Sequence, residues 1–414
     1  MIKERLYSDT AAAEKFFPAL YGEVTDAQKK RYKDNFDWFC KAYGEKQAFI
    51  ASSSGRVEVC GNHTDHNGGK VVSCSISLDT LAMFLPTEDG VIRIKSAGYD
   101  DIVVDTNGEE KEKKGTSAAL VRGVAVALKN AGYKVGGFKG CFTSNVLGGA
   151  GISSSASFEV LIAEILNFLY NDGKISAEEK SKAAQYSENV YFGKPCGLLD
   201  QTAIAFGGLK KLDFKDKSSI SVAEINNDLK DYTLILVNTG GSHANLTDEY
   251  AAIPQEMKQV ANALGGERLI DFNEDEFYAK LPSVFNGLSD RAVARAIHFY
   301  NENKRVDRLA AALEKDDYEE FLSCIRESGI SSECKLQNCF VAKSNDQPII
   351  KALSIAERFL NGGANRVHGG GFAGTILNIV KNNDVKVFVE AMSAFYGSEN
   401  IIPLKVRSCG TIVL

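Results

Sequence analysis

The sequence has no paired-cysteine motif and no apolar run long enough to cross a membrane. Its nine cysteines are scattered without a CxxC pair, which indicates a reduced protein rather than a disulfide framework. The N-terminal stretch MIKERLYSDT lacks the apolar segment that a secretory signal needs. Only seven prolines are present, which argues against rigid proline-rich linkers. We therefore expect a soluble protein of the cytoplasm.

Neither sign of charge dominates the chain, since 48 basic residues stand against 54 acidic ones and the net charge is -6. This mild acidity argues against a surface built for nucleic acid or for anionic membranes. With 414 residues the chain exceeds what one hydrophobic core usually serves, so we expect two domains. Glycine and lysine interrupt the apolar pattern at residues 207–216, and we therefore assign the domains to residues 1–207 and 208–414.

Helical and strand-like patterns follow one another irregularly along the chain. The segment SASFEVLIAEILNFLY, residues 155–170, carries an apolar stripe at helical spacing, and helices are also predicted over residues 177–193 and 291–313. Runs rich in β-branched residues predict strands at 55–61, 90–96, 101–106, 231–239 and 374–380, whereas 384–391 suits a strand or a helix. Because strict βαβα alternation is missing, an α+β architecture is favoured over a Rossmann fold.

A glycine- and serine-rich segment, LGGAGISSSAS, lies between a strand-like run and the first predicted helix. Glycines let the backbone approach an anion closely, and a helix N-terminus offers unpaired N–H groups and the positive end of a dipole. The segment is typical of nucleotide-phosphate binding, with serines as donors or Mg²⁺ ligands. It is neither a Walker A loop nor a dinucleotide fingerprint, because no GK[ST] is present and Ser154 replaces the third glycine. The structural alternative is a Gly/Ser turn with a serine N-cap.

A second glycine cluster, RVHGGGFAGTILNIV, has Gly369, Gly371 and Gly374 in GxGxxG spacing. The run that follows is apolar and β-branched, so the context predicts a strand and rejects dinucleotide binding. One interpretation is a tight hairpin turn. The other is a loop that presses against a bound ligand.

Two acidic residues stand out in the segment YSENVYFGKPCGLLDQTAIAFGG. Glu188 comes late in a helical pattern, and Asp200 comes at the start of the next apolar stretch. A carboxylate between glycine-rich connections is suited to accept a proton or to hold a metal ion. Capping of the following helix is the more frequent use of such an aspartate.

The stretch GRVEVCGNHTDHNGG, residues 55–69, is too polar for a core. His63, Asp65 and His66 are all zinc-ligand types, but the chain has only five histidines and no HExxH or cysteine cluster completes a set. Polar side chains interleaved with glycines favour hydroxyl recognition instead, and Arg56 is suited to face an anion. A polar hairpin loop at a domain surface is the structural alternative.

Taken together, these segments resemble the motifs of the GHMP small-molecule kinases, and within that family those of the galactokinases. GRVEVCGNHTDHNGG is similar to the galactokinase signature GRVNLIGEHTDYNGG, and GGAGISSSAS is similar to the phosphate loop GAGLSSSAS. RVHGGGFAGT is similar to the third motif, GGGFGG, and SENVYFGKPCGLLDQ to the stretch AE-x-x-F-x-G…G-x-x-DQ. TGGSHANLTDEY lies where members carry a sugar-contacting tyrosine, here Tyr250. The similarity covers most of the chain.

The resemblance implies a two-domain α+β fold, with the active site in the cleft between the domains. It implies ATP-dependent phosphorylation of galactose to galactose 1-phosphate, Mg²⁺ as cofactor, and a monomer or weak homodimer without nucleic acid or membrane. Asp200 would take the proton from the anomeric hydroxyl or orient it, and Arg56 would stabilise the transferring phosphoryl group. Ser155 (or Ser154) and Glu188 would hold Mg²⁺. The sugar would contact Arg56, Asn62, His63, Asp65, Asp200 and Tyr250. The ATP phosphates would contact Gly148, Gly149, Ala150, Gly151, Ile152, Ser153, Ser154 and Ser155.

The chain departs from the galactokinase signature where Asn62 replaces a Glu and His66 replaces a Tyr. In the family that Glu contacts the sugar near its hydroxymethyl end. Asn still forms hydrogen bonds but carries no charge, so an anionic C6 carboxylate would be tolerated. Galacturonate or another sugar is therefore an alternative substrate. A non-catalytic galactose and ATP sensor is a second hypothesis, disfavoured because the phosphate loop and the base are intact, and a metalloenzyme is the third.

Overall fold

The computed structural model describes residues 5–146, 148, 151–241, 246–342 and 344–414. Twelve strands form two sheets in this described part of the chain. They are β1 (Phe49–Cys60), β2 (Lys70–Thr87), β3 (Val91–Ser96), β4 (Ile102–Asp105), β5 (Gly137–Ser144), β6 (Leu209–Asp213), β7 (Ser221–Glu224), β8 (Tyr232–Asn238), β9 (Ala364–Val367), β10 (Thr375–Lys381), β11 (Ile401–Leu404) and β12 (Ile412–Val413).

Two helices precede β1, and the others lie between the strands. The helices are α1 (Phe17–Tyr21), α2 (Asp26–Tyr43), α3 (Ser117–Asn130), α4 (Ser154–Tyr170), α5 (Ala177–Tyr186), α6 (Leu199–Phe206), α7 (Thr247–Ala263), α8 (Glu274–Val284), α9 (Asp290–Glu314), α10 (Tyr318–Ser331), α11 (Pro348–Glu357) and α12 (Val385–Tyr396). Two π-helical turns, Ser187–Phe192 and Ser332–Leu336, continue α5 and α10. Within the ranges given above, every helix is too short or too polar to cross a bilayer.

The larger sheet has the strand order β12-β1-β2-β5-β3-β4, and β6 pairs with β2 while β7 pairs with β6. Its neighbours are antiparallel except for β3 and β5, which are parallel. The smaller sheet has the order β11-β8-β10-β9 and is antiparallel throughout. Mixed helices and antiparallel sheets confirm the α+β prediction.

The predicted elements are largely confirmed. Helix α4 covers the expected apolar stripe, α9 covers residues 291–313, and strands lie at each predicted strand segment. The ambiguous segment 384–391 is the start of α12, whose buried residues Phe388 and Met392 are four apart and therefore share one helix face. The helix predicted over 177–193 changes to a π-helical turn at Ser187.

A shared apolar core joins the two sheets. Val57 of β1, Leu236 of β8, Leu377 of β10 and Leu309 of α9 belong to one buried cluster. The strands β6 and β7 pair with the larger sheet, and the C-terminal strand β12 returns to it beside β1. We therefore propose that the division between the two domains falls after β7, which ends at Glu224, 17 residues later than the glycine-rich boundary at 207.

Candidate active site

An ion pair between Arg56 and Asp200 forms the centre of the candidate site. Arg56 lies on β1 next to a shift in register with β2, and Asp200 lies in the first turn of α6. Arg56 Nε and Nη2 donate to Asp200 Oδ1 over 2.8 and 2.7 Å, and Nη1 donates to the carbonyl oxygen of Gly151. The guanidinium is almost fully buried, whereas about a third of the Asp200 side chain is exposed. The open side of the carboxylate is therefore accessible to a ligand.

The start of α4 faces this ion pair. Ser153 precedes the helix in the left-handed region, with φ 64°, and its side chain makes no capping hydrogen bond. Its hydroxyl contacts Asp200 Oδ2 instead. Ser153 thus occupies the N-cap position without capping the helix through its side chain, so the first-turn N–H groups are left for another acceptor such as an anion. Of the predicted phosphate-loop residues, Gly149 and Ala150 lie outside the described residues.

Ile152 links the phosphate loop to β1. Its side chain is fully buried in the core that joins the sheets, and its carbonyl oxygen accepts a hydrogen bond from the Arg56 backbone N–H over 3.2 Å. Gly148 is exposed, and a Cβ built on it would lie 3.9 Å from the Tyr99 hydroxyl. The loop is thus anchored at its helical end by the strand that carries Arg56.

A second polar cluster surrounds Glu188, which the π-helical turn after α5 places behind α4. Ser155 Oγ donates to Glu188 Oε1 over 3.1 Å, and Lys194 Nζ donates to the same oxygen over 3.2 Å. Gln201 Nε2 donates to Glu188 Oε2 over 3.1 Å. The predicted Mg²⁺ ligands Ser155 and Glu188 therefore lie within contact of each other, while Ser154 begins α4 without a contact to Glu188 in the described structure.

Asp65 approaches Asp200 from the polar loop between β1 and β2. Burial, the Asp200 carboxylate and the Glu58 carboxylate together raise the pKa of Asp65 from 3.8 to about 6, while backbone N–H groups of His66 and Leu199 oppose the shift. Gly197 leaves room for this carboxylate, since a Cβ there would lie 1.7 Å from Asp65 Oδ2 and would displace the end of the Asp65 side chain. Two acidic side chains thus converge near the start of α6, as a site for a polyhydroxyl ligand requires.

The two histidines of this loop are neutral. Burial lowers the pKa of His63, and burial together with the neighbouring His63 and His298 lowers the pKa of His66 to about 3. His63 Nε2 donates to the carbonyl oxygen of Gly370 over 3.1 Å, and His66 Nδ1 contacts the Asn67 amide over 2.9 Å. In the described ranges no three His, Cys, Asp or Glu side chains converge as a metal site.

Asn62 does not face an open site. Its side chain is fully buried, and it contacts Glu58 Oε1, the Gly369 carbonyl, Asn338 Nδ2 and Ser332 Oγ. The expected direct contact between Asn62 and a sugar is therefore not supported by this geometry. Glu58, which the sequence reasoning passed over, forms a buried ion pair with Arg366 over 2.9 Å. The signal that would have found it is the Asn at the matching position of GRVNLIGEHTDYNGG.

The second glycine cluster joins the antiparallel strands β9 and β10, so it forms a hairpin, but residues 368–374 make a connection of seven residues rather than the tight turn that was expected. Tyr250 of α7 donates its hydroxyl to the Gly371 carbonyl over 2.8 Å and packs edge-on against Phe372. Gly370 must lack a side chain, because a Cβ would lie 2.3 Å from the Tyr250 ring. The turn therefore joins Tyr250 to the loop that carries His63.

Two family models and one solved structure indicate the class of protein to which the chain is similar. Residues 115–208 match the family described as GHMP kinases N terminal domain, and residues 37–86 match the galactokinase galactose-binding signature. The fold is similar to that of Lactococcus lactis galactokinase complexed with galactose, with a TM-score of 0.80 and 24% identity over 92% of this chain and 98% of that one. The fold is thus that of a GHMP kinase.

Two relatives that match most of the chain identify the family within this class. A galactokinase of Clostridium beijerinckii is 30% identical over 87% of this chain and 92% of its own length. A galactokinase of Clostridium tetani is 29% identical over 86% of this chain and 90% of its own length. The chain belongs to the galactokinase family, and its class of activity is that of an ATP-dependent sugar kinase.

Proposed function

We propose that this protein transfers the γ-phosphoryl group of ATP to the anomeric hydroxyl of galactose. The observation that carries the proposal is the Arg56–Asp200 ion pair, which faces the uncapped start of α4 and has Asp65 beside it. Phosphoryl transfer depends mainly on positioning and on charge neutralisation, and this arrangement supplies both.

Asp200 accepts the proton of the anomeric hydroxyl, or orients that hydroxyl, while Arg56 stabilises charge on the transferring group. About a third of the Asp200 side chain is exposed, and Arg56 engages Oδ1 while the Ser153 hydroxyl contacts Oδ2, so Oδ2 is the oxygen that would meet the sugar. Ser153 releases Oδ2 when it turns to the nucleotide phosphates. This role for Ser153 agrees with its left-handed backbone, which keeps its hydroxyl outside the helix.

The sugar is held mainly by Asp65, with His63 and Tyr250 forming the adjacent wall. Asp65 accepts from two neighbouring hydroxyls, a use that fits a carboxylate lacking any cationic partner in the described structure. The contacts of His63 with Gly370 and of Tyr250 with Gly371 bring these two side chains to one turn. Binding of a sugar against Asp65 is strongest when that carboxylate is ionised.

Ser155 and Glu188 fit a magnesium ion. A hydroxyl and a carboxylate are the hard oxygen ligands that Mg²⁺ prefers, and the two lie 3.1 Å apart behind the start of α4. When bound, the ion would neutralise charge on the ATP phosphates. Lys194, which contacts Glu188 over 3.2 Å, balances the carboxylate in the absence of the ion.

The test is a coupled assay of ADP release with galactose, galacturonate and other hexoses as acceptors. We expect turnover with galactose and a loss of about a thousandfold or more in Asp200→Asn with ATP binding retained. Asp228→Asn, an exposed substitution outside the site, should leave turnover unchanged. Full activity of Asp200→Asn would overturn the assigned role, and silence on galactose with turnover of galacturonate would overturn the substrate.

We also propose a monomer or weak homodimer, in the cytoplasm. Sedimentation velocity at several protein concentrations measures the oligomeric state directly. A stable tetramer at micromolar concentration would contradict it.

A further inference from the structure

The loop that carries Asp65 differs from the galactokinase signature by a reciprocal exchange. GRVNLIGEHTDYNGG has Asn where this chain has Glu58, and Glu where this chain has Asn62. One amide and one carboxylate are thus kept, but their positions four residues apart are exchanged. The charge that Asn62 appeared to remove from the site is therefore present at Glu58.

The amide of Asn62 has no free hydrogen-bonding capacity. Its two N–H groups donate to Glu58 Oε1 over 2.8 Å and to the Gly369 carbonyl over 2.7 Å. Its oxygen accepts from Asn338 Nδ2 over 2.8 Å and from Ser332 Oγ over 3.4 Å. An asparagine amide has two donors and two lone pairs, so all four are used. A sugar contact would leave a buried partner unpaired.

The carboxylate of Glu58 is equally committed. Oε1 accepts from Arg366 Nη2 over 2.9 Å as well as from Asn62, and the Arg366 side chain is fully buried. Arg366 Nη1 donates to the Val59 carbonyl, and the Glu58 backbone N–H donates to His368 Nε2. A buried guanidinium that loses its carboxylate partner is strongly destabilised. Arg366 therefore requires one acidic neighbour at this end of β1.

We propose that Glu58 and Asn62 form an exchanged pair that positions the sugar-binding loop without touching the sugar. The pair connects β1 to the turn between β9 and β10. The Asn62 amide donates to the Gly369 carbonyl, and His63 donates to the next carbonyl, that of Gly370. Position 62 is thus a positioning residue here, and the substrate is not selected by its charge. Only the changes in KM that this inference predicts rest on the proposed sugar-kinase function, whereas the changes in Tm do not.

The exchange makes a sharp prediction for a double-mutant cycle. Asn62→Glu alone adds a second buried carboxylate beside the Glu58–Arg366 pair. Glu58→Asn alone removes the ion-pair partner of Arg366 and leaves only the Glu302 carboxylate, beyond ion-pair distance, acting on that arginine. Each single variant should lower Tm by about 5 °C or more and raise the KM for galactose about tenfold or more, with the KM for ATP little changed. The double variant restores one carboxylate and one amide, so it should recover most of Tm and of the galactose KM.

A matched control is Glu164→Gln, which removes the carboxylate partner of Lys180 between α4 and α5, far along α4 from Ser153. It should lower Tm slightly and leave both KM values unchanged. Insoluble single variants with a soluble, active double variant would support the exchanged pair. A double variant no better than the sum of the singles, or insoluble with them, would overturn it.

Two further outcomes separate this inference from the proposed function. An Asn62→Glu variant with unchanged Tm and a lower KM for galactose would overturn the pair, because it would mean that position 62 contacts the sugar. Silence of the wild type on every hexose would overturn the proposed substrate. The double-mutant cycle measured by Tm needs no substrate, so it would still decide whether positions 58 and 62 are coupled.

Discussion

Asp65→Asn should stabilise the sugar-free protein while removing its activity. The folded protein holds the Asp65 proton up to a pKa of about 6, because of burial and then of Asp200 and Glu58, whereas the unfolded chain releases it near 3.8. Because the folded state binds this proton more tightly than the unfolded chain does, protonation of Asp65 stabilises the folded protein at low pH. This stabilisation is lost as the pH rises from about 4 through about 6. At pH 7.5 the ionised, partly buried carboxylate costs about 3 kcal/mol of the free energy of unfolding.

The amide removes this cost and keeps an oxygen for the N–H groups of His66 and Leu199. We expect thermal melts without sugar to show a higher Tm for Asp65→Asn at pH 7.5, and a gain of about half that size in free energy at pH 5. Turnover of galactose should fall by about a hundredfold or more, because an amide cannot accept from two hydroxyls as a carboxylate does. A variant that is less stable than the wild type at both pH values would refute the reasoning, and Asp228→Asn serves as the control.

Three other substitutions test separate parts of the structure. Glu188→Gln should raise the Mg²⁺ concentration for half-maximal activity about tenfold or more and leave the KM for galactose unchanged; an unchanged Mg²⁺ titration would exclude Glu188 as a ligand. Gly197→Ala should raise the KM for galactose about tenfold with little change in Tm, because the new Cβ displaces only the end of the Asp65 side chain. Asp79→Asn should cost about 3–5 kcal/mol of unfolding free energy, measured in urea, because the fully buried Asp79 pairs with Arg31; it should leave the KM values of the folded enzyme unchanged.

The elements that could be predicted from sequence are those with a long, regular apolar pattern. Helix α4 has such a pattern, and its bounds were predicted to within a residue, although it packs against helices α3, α5 and α6 as well as against the sheet. The segment that became α12 was ambiguous because an alternating apolar pattern of this length fits either period, and only the packing of Phe388 and Met392 decides between them. The domain boundary is hard to predict for a different reason. The glycines at residues 207–208 mark a turn within the larger sheet, since β6 pairs with β2 immediately afterwards.

The candidate site could be located from the sequence because its residues carry chemistry that a core does not need. In the structure Arg56 pairs with Asp200 and Ser155 contacts Glu188, while the roles assigned to these residues stay predictions. The position of Asn62 could not be predicted. A side chain in a glycine-rich polar loop is expected to face solvent or ligand, but Asn62 turns inward because the buried Arg366 on β9 needs an acidic partner, which Glu58 supplies. That requirement comes from a residue about 300 positions away, so no local pattern expresses it. A single departure from a family motif is therefore a weak guide to substrate specificity until the second position that compensates for it has been sought in the structure.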